Sequence, residues 1–149
     1  MKLPNSPKSL SSNDERQIRR SFLNYEHVKP LTNFSEKLRK EFPEYTIPDF
    51  DPFDGGINAQ VLFVLEAPGR MAVETGFVSR DNPDETAKNI FLLLNEAGLD
   101  RASSILWNIV PNYIGDGSKI RPANSNDITI GTKHFLELIK ILKNLRIVC

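Results

Sequence analysis

Hydrophobic and polar positions along the chain follow a pattern that predicts a mixed α/β fold. Two apolar runs without polar alternation, "AQVLFVL" and "SILWNIV", are typical of parallel strands that are covered on both faces, and "RIVC" begins a third strand. Apolar residues at helical spacing separate these runs and predict helical crossovers. Strands that alternate with helices indicate a three-layer α/β/α domain with a short parallel sheet.

Capping residues predict where the first helix begins. Ser12 followed by Glu15 has the spacing of a capping box, so a helix should begin near Asn13. Ile18 is expected on the apolar face of this helix. Residues 1–12 are rich in Pro, Ser, Asn and Lys, and we expect them to form a flexible N-terminal arm.

Two further helices lie on either side of the first buried strand. "FSEKLRKEF" is an amphipathic stretch that predicts a short helix before it. After the strand, Asn82 is a good N-cap and Pro83 suits the first helical position, so a helix should begin there. Gly98 should end that helix, because glycine readily adopts the left-handed conformation of a C-terminal cap.

Composition places the chain among ordinary globular domains. It has 149 residues, of which 40% are hydrophobic and 26% charged, and residues 13–149 are long enough for one domain with one core. The sequence contains no run of eighteen apolar residues, which a membrane span would need, so we expect no membrane partner. The N-terminal residues lack the apolar stretch of a signal peptide, and a cytoplasmic location is the expectation.

Charge and cysteine content exclude some kinds of chemistry. Lys plus Arg and Asp plus Glu number 19 each, so no global field attracts nucleic acid, and any such contact must use a local patch. The single cysteine, Cys149, forms no internal disulfide and supports no iron–sulfur cluster. We therefore expect no metal and no cofactor.

Polar loops follow both of the longer predicted strands. "EAPGR" follows the first, and "NIVPNYIGDGSKIRPANSND" contains the end of the second. In a parallel sheet, ligands bind outside the carboxyl ends of the strands. The polar residue Asn108, near the end of an apolar strand, is therefore a candidate site residue.

Taken together, these loops resemble the uracil-DNA glycosylase superfamily. The resemblance spans roughly residues 46 to 149 and is carried by "LEAPGR" (65–70), "TGFVSRDNPDETAKNIFLLLNEAGL" (75–99), "WNIVPNYIG" (107–115) and "KIRPANSND" (119–127). It is strongest with the bacterial branch whose first motif reads Glu-Ala-Pro-Gly. The resemblance implies a DNA glycosylase of base excision repair, which flips uracil out of DNA and hydrolyses its N-glycosidic bond.

The resemblance also implies roles for individual residues. Asn108 falls on the catalytic asparagine that pairs with the uracil edge, and Phe77 on the aromatic residue that stacks under the base. The first motif frames the pocket near the sugar with Glu66, Ala67, Pro68 and Gly69. Because Ala67 stands where some relatives carry a water-activating aspartate, Glu66 is the candidate for positioning water.

Basic residues in the same loops are candidates for phosphate contact. These residues are Arg70, Arg80, Lys119 and Arg121. Phosphate contacts position a protein on DNA, and arginine and lysine supply many of them. The plain alternative is that all four are solvated surface residues.

One departure from the family bears on activity. A His-Pro-Ser-type loop, which supplies the donor to the leaving uracil, does not occur in these 149 residues, and His27 and His134 do not replace it by position. The resemblance therefore implies a C-terminally incomplete domain, without the last strand and helix, whose activity is reduced or lost. The expected partner is uracil-containing DNA, single- or double-stranded, and the open sheet edge is a candidate surface for self-association. The alternative is a non-catalytic module that binds nucleic acid, a nucleotide or another protein.

Overall fold

Two short parallel sheets form the centre of the molecule in a computed structural model, which describes residues 2–4 and 6–149. In the larger sheet, β2 (Val61–Leu65) lies between β4 (Ser104–Asn108) and β5 (Ile147–Val148). In the smaller sheet, β1 (Asp49–Phe50) pairs with β3 (Phe77–Val78). This mixed α/β arrangement is compatible with the expected three-layer fold, and the sequence did not predict the smaller sheet.

Five α-helices accompany these strands within the described residues. They are α1 (Asn13–Ser21), α2 (Lys29–Glu41), α3 (Arg70–Thr75), α4 (Glu85–Glu96) and α5 (Ser125–Ile141). The predicted start of α1 is confirmed, because the Ser12 side chain accepts a hydrogen bond from the Glu15 N–H. None of the helices in residues 2–4 and 6–149 has the length and apolar character needed to cross a membrane.

The predicted start of α4 is wrong by two residues. Asp84, not Asn82, is the N-cap, and its carboxylate accepts from the Ala87 N–H at 2.9 Å. Asn82 is instead buried, because its side chain is used to hold the preceding loop. The end of α4 matches the prediction, with Gly98 at a φ of +68° just after the C-cap.

Aromatic stacking fixes the two sheets against each other. The rings of Phe50 in β1 and Trp107 in β4 stack with centroids 3.8 Å apart and planes 11° from parallel. Phe34 of α2 meets the Trp107 ring edge-on at 6.2 Å. All five residues of β4 are buried, as expected of a strand covered on both faces.

The N-terminal segment is more firmly placed than its composition predicts. Leu10 is completely buried, and its N–H donates to the Asp81 carbonyl at 3.1 Å. The expected flexible arm is therefore wrong for the residues next to α1. Met1 and Asn5, which the sequence also assigns to that arm, lie outside the described residues.

Strand β5 lies at one edge of the larger sheet. The side chains of Ile147 and Val148 are both about half exposed. Self-association through this edge stays a prediction.

A buried cluster of six charged side chains connects the segments that surround the sheets. We call it the arginine–aspartate cluster, and its members are Arg19, Asp51, Asp54, Arg80, Asp81 and Arg101. Three guanidinium groups therefore face three carboxylates with almost no access to water. Arg101 contacts all three carboxylates, at distances of 2.8 to 2.9 Å.

The cluster joins distant parts of the sequence. From α1, Arg19 binds Asp51 at 2.5 Å and Asp81 at 2.6 Å. Arg80 lies 3.2 Å from Asp54 and completes the arrangement. The segments after β1 and β3, the first helix and the turn before β4 are thus held at one point. The expectation that Ile18 lies on the buried face of α1 is therefore wrong. Ile18 is 44% exposed, and Arg19 is the residue of this helix that points inward.

Burial raises the pKa of Asp54 to about 6, because its desolvation outweighs the attraction of the Arg80 and Arg101 guanidinium groups. Between about pH 4 and pH 6, the folded state keeps a proton on Asp54 that the unfolded state has lost. The contribution of Asp54 to the free energy of unfolding is therefore present at low pH and is lost as the pH rises through that window.

We predict that Asp54→Asn removes this pH dependence, because asparagine has the shape of the carboxylic acid but does not titrate. In the wild-type chain, the effect of Asp54 is a fall in the free energy of unfolding on the order of 3 kcal/mol between pH 4 and pH 7. Urea denaturation across this range measures it, with the exposed-site variant Asp14→Asn as the charge-matched control. An identical pH profile in Asp54→Asn and the wild type would contradict the assignment.

Candidate functional site

A cavity of about 560 Å³ lies at the carboxyl ends of β2 and β4. Its volume falls within the roughly 300 to 1,000 Å³ of small-molecule sites. The lining residues come from the end of β2 and the loop after it, helices α3 and α4, β3 and the segment that follows it, strand β4, and one residue of a later hairpin, residues 113–121. They are Leu65, Glu66, Ala67, Pro68, Gly69, Arg70, Met71, Ala72, Val78, Ser79, Asn82, Asp84, Thr86, Ala87, Ile90, Leu106, Asn108 and Ile120.

The Glu-Ala-Pro-Gly loop, with Glu66, Ala67, Pro68 and Gly69, forms one wall of the cavity. Its place near a sugar stays a prediction. Gly69 has an extended backbone with a φ of −78°, and a Cβ at this position would meet no protein atom within 4 Å. The space beside Gly69 is therefore open. The fold itself does not require glycine here.

Glu66 connects the loops that follow the two central strands. Its backbone carbonyl accepts from the Val110 N–H at 2.9 Å, and its Oε1 accepts from the Ala123 N–H at 3.0 Å. One carboxylate oxygen is thus already used to hold the loop around residue 123. Its role in positioning water stays a prediction.

Asn108 is the last residue of β4 and pairs in register with Leu65 of β2. Its side chain lines the cavity and is 2% exposed, and its Oδ1 finds no hydrogen-bond partner among residues 2–4 and 6–149. An unpaired buried carbonyl costs about 1 to 3 kcal/mol, so such groups are rare without a reason. A ligand that donates a hydrogen bond to Oδ1 would remove this cost.

A second buried carboxamide, that of Asn82, lines the same cavity with its bonds satisfied. Its Nδ2 donates to the Phe77 carbonyl at 2.9 Å, and its Oδ1 accepts from the Thr75 hydroxyl at 2.7 Å. Asn82 therefore holds the backbone, whereas the side-chain carbonyl of Asn108 has no partner among the described residues.

Ser79 connects the cavity to the arginine–aspartate cluster. Its hydroxyl donates to the Asp51 carboxylate and accepts from the Asp81 N–H at 2.9 Å. Because Ser79 also lines the cavity, the floor of the cavity rests on the buried charges.

The charge of the lining favours an uncharged ligand. The ionisable residues among the lining side chains of the described chain are Glu66, Arg70 and Asp84, which together carry one net negative charge at neutral pH. The remaining wall is mainly aliphatic. An anionic group such as phosphate has little to bind inside, whereas a neutral heterocycle fits the apolar wall and the free carbonyl.

Two of the predicted site residues are placed elsewhere. Phe77 is 1% exposed and packs in the core, and the cavity is not lined by its ring, so the expected stacking surface is not presented in this conformation. Arg80 is 3% exposed, ion-paired with Asp54 and hydrogen-bonded to the Ser104 hydroxyl at 2.9 Å. The expectation that Arg80 contacts phosphate is therefore wrong for this conformation, because its charge is used inside the protein.

The other three basic candidates are exposed, but they differ in their partners. Arg70 lines the cavity mouth and forms no ion pair within the described part of the chain. Lys119 is exposed on the hairpin next to Ile120, likewise without an ion pair among the described residues. Arg121 is bound by Asp127 at 2.6 and 3.1 Å, so its charge is largely compensated.

The two histidines lie away from the cavity. His27 bonds through Nε2 to the Pro52 carbonyl at 3.0 Å, and His134 is buried between Glu41 and Glu137. Within residues 2–4 and 6–149, no group of three or more His, Cys, Asp or Glu side chains is arranged to hold a metal ion.

Sequence reasoning missed most of the other lining residues, among them Ser79, Asp84 and Ile120. Ser79 and Asp84 belong to the stretch "SRDNPD", and the signal that could have identified them was its density of polar residues directly after a buried strand. Ile120 gave no signal, because a single apolar residue in a polar loop is common.

The chain matches no model of a known protein family, and no curated protein matches it. The likeness to uracil-DNA glycosylases thus depends on the sequence motifs alone.

We predict that Asn108→Leu stabilises the protein by about 1 to 2 kcal/mol, because leucine of similar size removes the unpaired carbonyl. Asn82→Leu is the matched control and should destabilise it, since it leaves the Thr75 hydroxyl and the Phe77 carbonyl unpaired. Urea denaturation of both variants measures the difference. A large loss of stability in Asn108→Leu would show that its carbonyl has a structural partner.

Proposed function

We propose that this chain is a uracil-DNA glycosylase-like protein, whose cavity receives a uracil that has been flipped out of DNA. The observation that carries the proposal is the unpaired carbonyl of Asn108 in a largely aliphatic cavity. The motif resemblance supports the same assignment, because it falls on the loops that line this cavity.

Recognition of the base follows from the chemistry of a carboxamide. The Oδ1 of Asn108 accepts from N3–H of uracil, and the Nδ2 donates to O4. Cytosine presents an acceptor at N3 and a donor at its exocyclic amine, so both contacts would be mismatched. A mismatch also leaves the buried carbonyl unpaired, which is why a site of this kind discriminates strongly.

The phosphates lie outside the cavity in this proposal. The lining carries a net negative charge. Its one basic residue, Arg70, is exposed, and Lys119 is exposed beside the lining residue Ile120. An uncharged base would therefore enter the cavity while the backbone stays at the rim. A flipped nucleotide requires this separation.

Cleavage of the N-glycosidic bond places further demands on the site. The C1′–N1 bond breaks, water adds to C1′ of the sugar and gives up one proton, and uracil departs with a negative charge at N1 that a donor must stabilise. Glu66 is the candidate for positioning the water, and its Oε1 already accepts from Ala123. The described lining residues supply no histidine as a donor to the departing uracil.

A second candidate function is therefore base recognition without efficient cleavage. It is favoured by the same contrast: the recognition group Asn108 is free, whereas the carboxylate of Glu66 is partly occupied. In either case the ligand is the same, and a binding experiment tests both.

We predict that Asn108→Asp lowers the preference for uracil over cytosine by about tenfold to a hundredfold, because the carboxylate cannot donate to O4. Fluorescence anisotropy with single-stranded oligonucleotides that carry one uracil or one cytosine measures the preference. Asn112→Asp adds the same charge nearby, outside the cavity, and should keep the wild-type preference. Unchanged preference in a folded Asn108→Asp protein would refute the assignment.

Arg70 and Arg121 should contribute differently to the salt dependence of DNA binding. We predict that Arg70→Ala reduces the slope of log affinity against log salt concentration by about one unit, because one phosphate contact is lost. Arg121→Ala should change the slope much less, since Asp127 already neutralises this guanidinium. Titrations at several salt concentrations measure both slopes, and equal slopes for Arg70→Ala and the wild type would move the phosphate contact elsewhere.

A further inference from the structure

We propose that Ile120 packs against the face of the bound base and so closes the cavity over an uncharged planar ring; this inference rests on the proposed function. Ile120 lines the cavity together with Asn108, yet it belongs to a hairpin well beyond β4 in the sequence. It is 45% exposed, and among the lining residues it is the large apolar side chain with the most exposure. Three properties of the hairpin support this role.

The hairpin, residues 113–121, is tightly bonded within itself. Gly115 and Ile120 form an antiparallel bridge, and the Asp116 N–H donates to the Lys119 carbonyl at 3.1 Å. The Asp116 carboxylate accepts from the N–H groups of Ser118 and Lys119 at 2.9 and 2.8 Å. These backbone bonds lower the pKa of Asp116 to about 2, because they favour the ionised carboxylate.

The Tyr113 side chain holds the tip of the hairpin in place. Its hydroxyl accepts from the Gly117 N–H at 3.1 Å. A Cβ on Gly115 would lie only 2.3 Å from the ring of Tyr113, so glycine is required for the ring to cross the hairpin. The position of Ile120 is thus set before any ligand binds.

Both ends of the hairpin are fixed to the body of the protein. At the first end, the Tyr113 N–H donates to the Thr46 carbonyl at 2.9 Å. At the second, Arg121 pairs with Asp127 of α5, and Ala123 donates to Glu66 of the opposite cavity wall. Because the hairpin is already ordered, Ile120 would contact a ligand with little loss of conformational entropy.

The cavity needs such a contact because its expected aromatic partner is absent. Phe77 is buried in the core, so the faces of a bound ring must meet aliphatic side chains. Exposed Ile120 would lose water contact when a ring covers it, and that burial favours binding. This assigns to Ile120 a place inside the cavity, against the base, rather than a place between neighbouring bases of the DNA.

The experiment compares two probes, free uracil and a single-stranded oligonucleotide with one uracil. Isothermal titration calorimetry gives the affinity of each for the wild type, Ile120→Ala, Ile120→Leu and Ile128→Ala. We expect Ile120→Ala to weaken both probes by a similar factor of about four to twelve, from the loss of roughly half an isoleucine side chain of apolar burial. Ile120→Leu should stay close to the wild type.

Ile128→Ala is the matched control, because Ile128 is also a partly exposed isoleucine, on α5 and away from the cavity. It should bind both probes as the wild type does, and thermal unfolding confirms that each variant is folded. Unchanged affinity of Ile120→Ala for free uracil would overturn the inference. Loss of affinity for the oligonucleotide alone would also overturn it, since Ile120 would then act on the DNA outside the cavity.

The same experiment distinguishes an error in the proposed function from an error in the role of Ile120. Wild-type protein that binds neither probe would refute both, whereas wild-type protein that prefers uracil but is insensitive to Ile120→Ala would refute only the role of Ile120.

Discussion

Six charged side chains that pair with one another away from water hold this structure together. The arginine–aspartate cluster balances three positive and three negative charges, so burial leaves no net charge unpaired. Loss of one member would leave a buried charge without its partner, at a cost of about 3 to 5 kcal/mol. The cluster fixes the segment that begins at Ser79, and that segment forms the floor of the cavity.

The cavity differs from the arginine–aspartate cluster beneath it, because few charged groups line it. Its wall is largely aliphatic, its ionisable groups lie among the exposed and half-buried residues, and its most buried free polar atom is the Asn108 carbonyl. A rigid ionic base beneath a nearly neutral cavity suits the recognition of a small uncharged ring, because the wall keeps its shape before the ligand enters. The hairpin that carries Ile120 extends the same preorganisation to the mouth.

Much of the fold could be predicted from the sequence, because buried parallel strands consist of consecutive apolar residues. The two longer strands and Asn108 at the end of one of them were predicted in this way. The cluster was not, since Arg19, Asp51 and Arg101 are far apart in sequence and each resembles a surface residue by itself. The errors for Arg80 and Phe77 have the same origin: their environment is set by tertiary contacts that no local pattern contains.

The most direct test of the central claim is the NMR signal of the Asn108 side-chain amide in ¹⁵N-labelled protein. We predict that this signal moves when free uracil is added, that it moves much less with cytosine, and that the Asn82 amide, whose Nδ2 and Oδ1 both have partners, responds weakly to both. A stationary Asn108 signal while uracil shifts resonances elsewhere would contradict the account. It would place the ligand outside the cavity at the ends of β2 and β4.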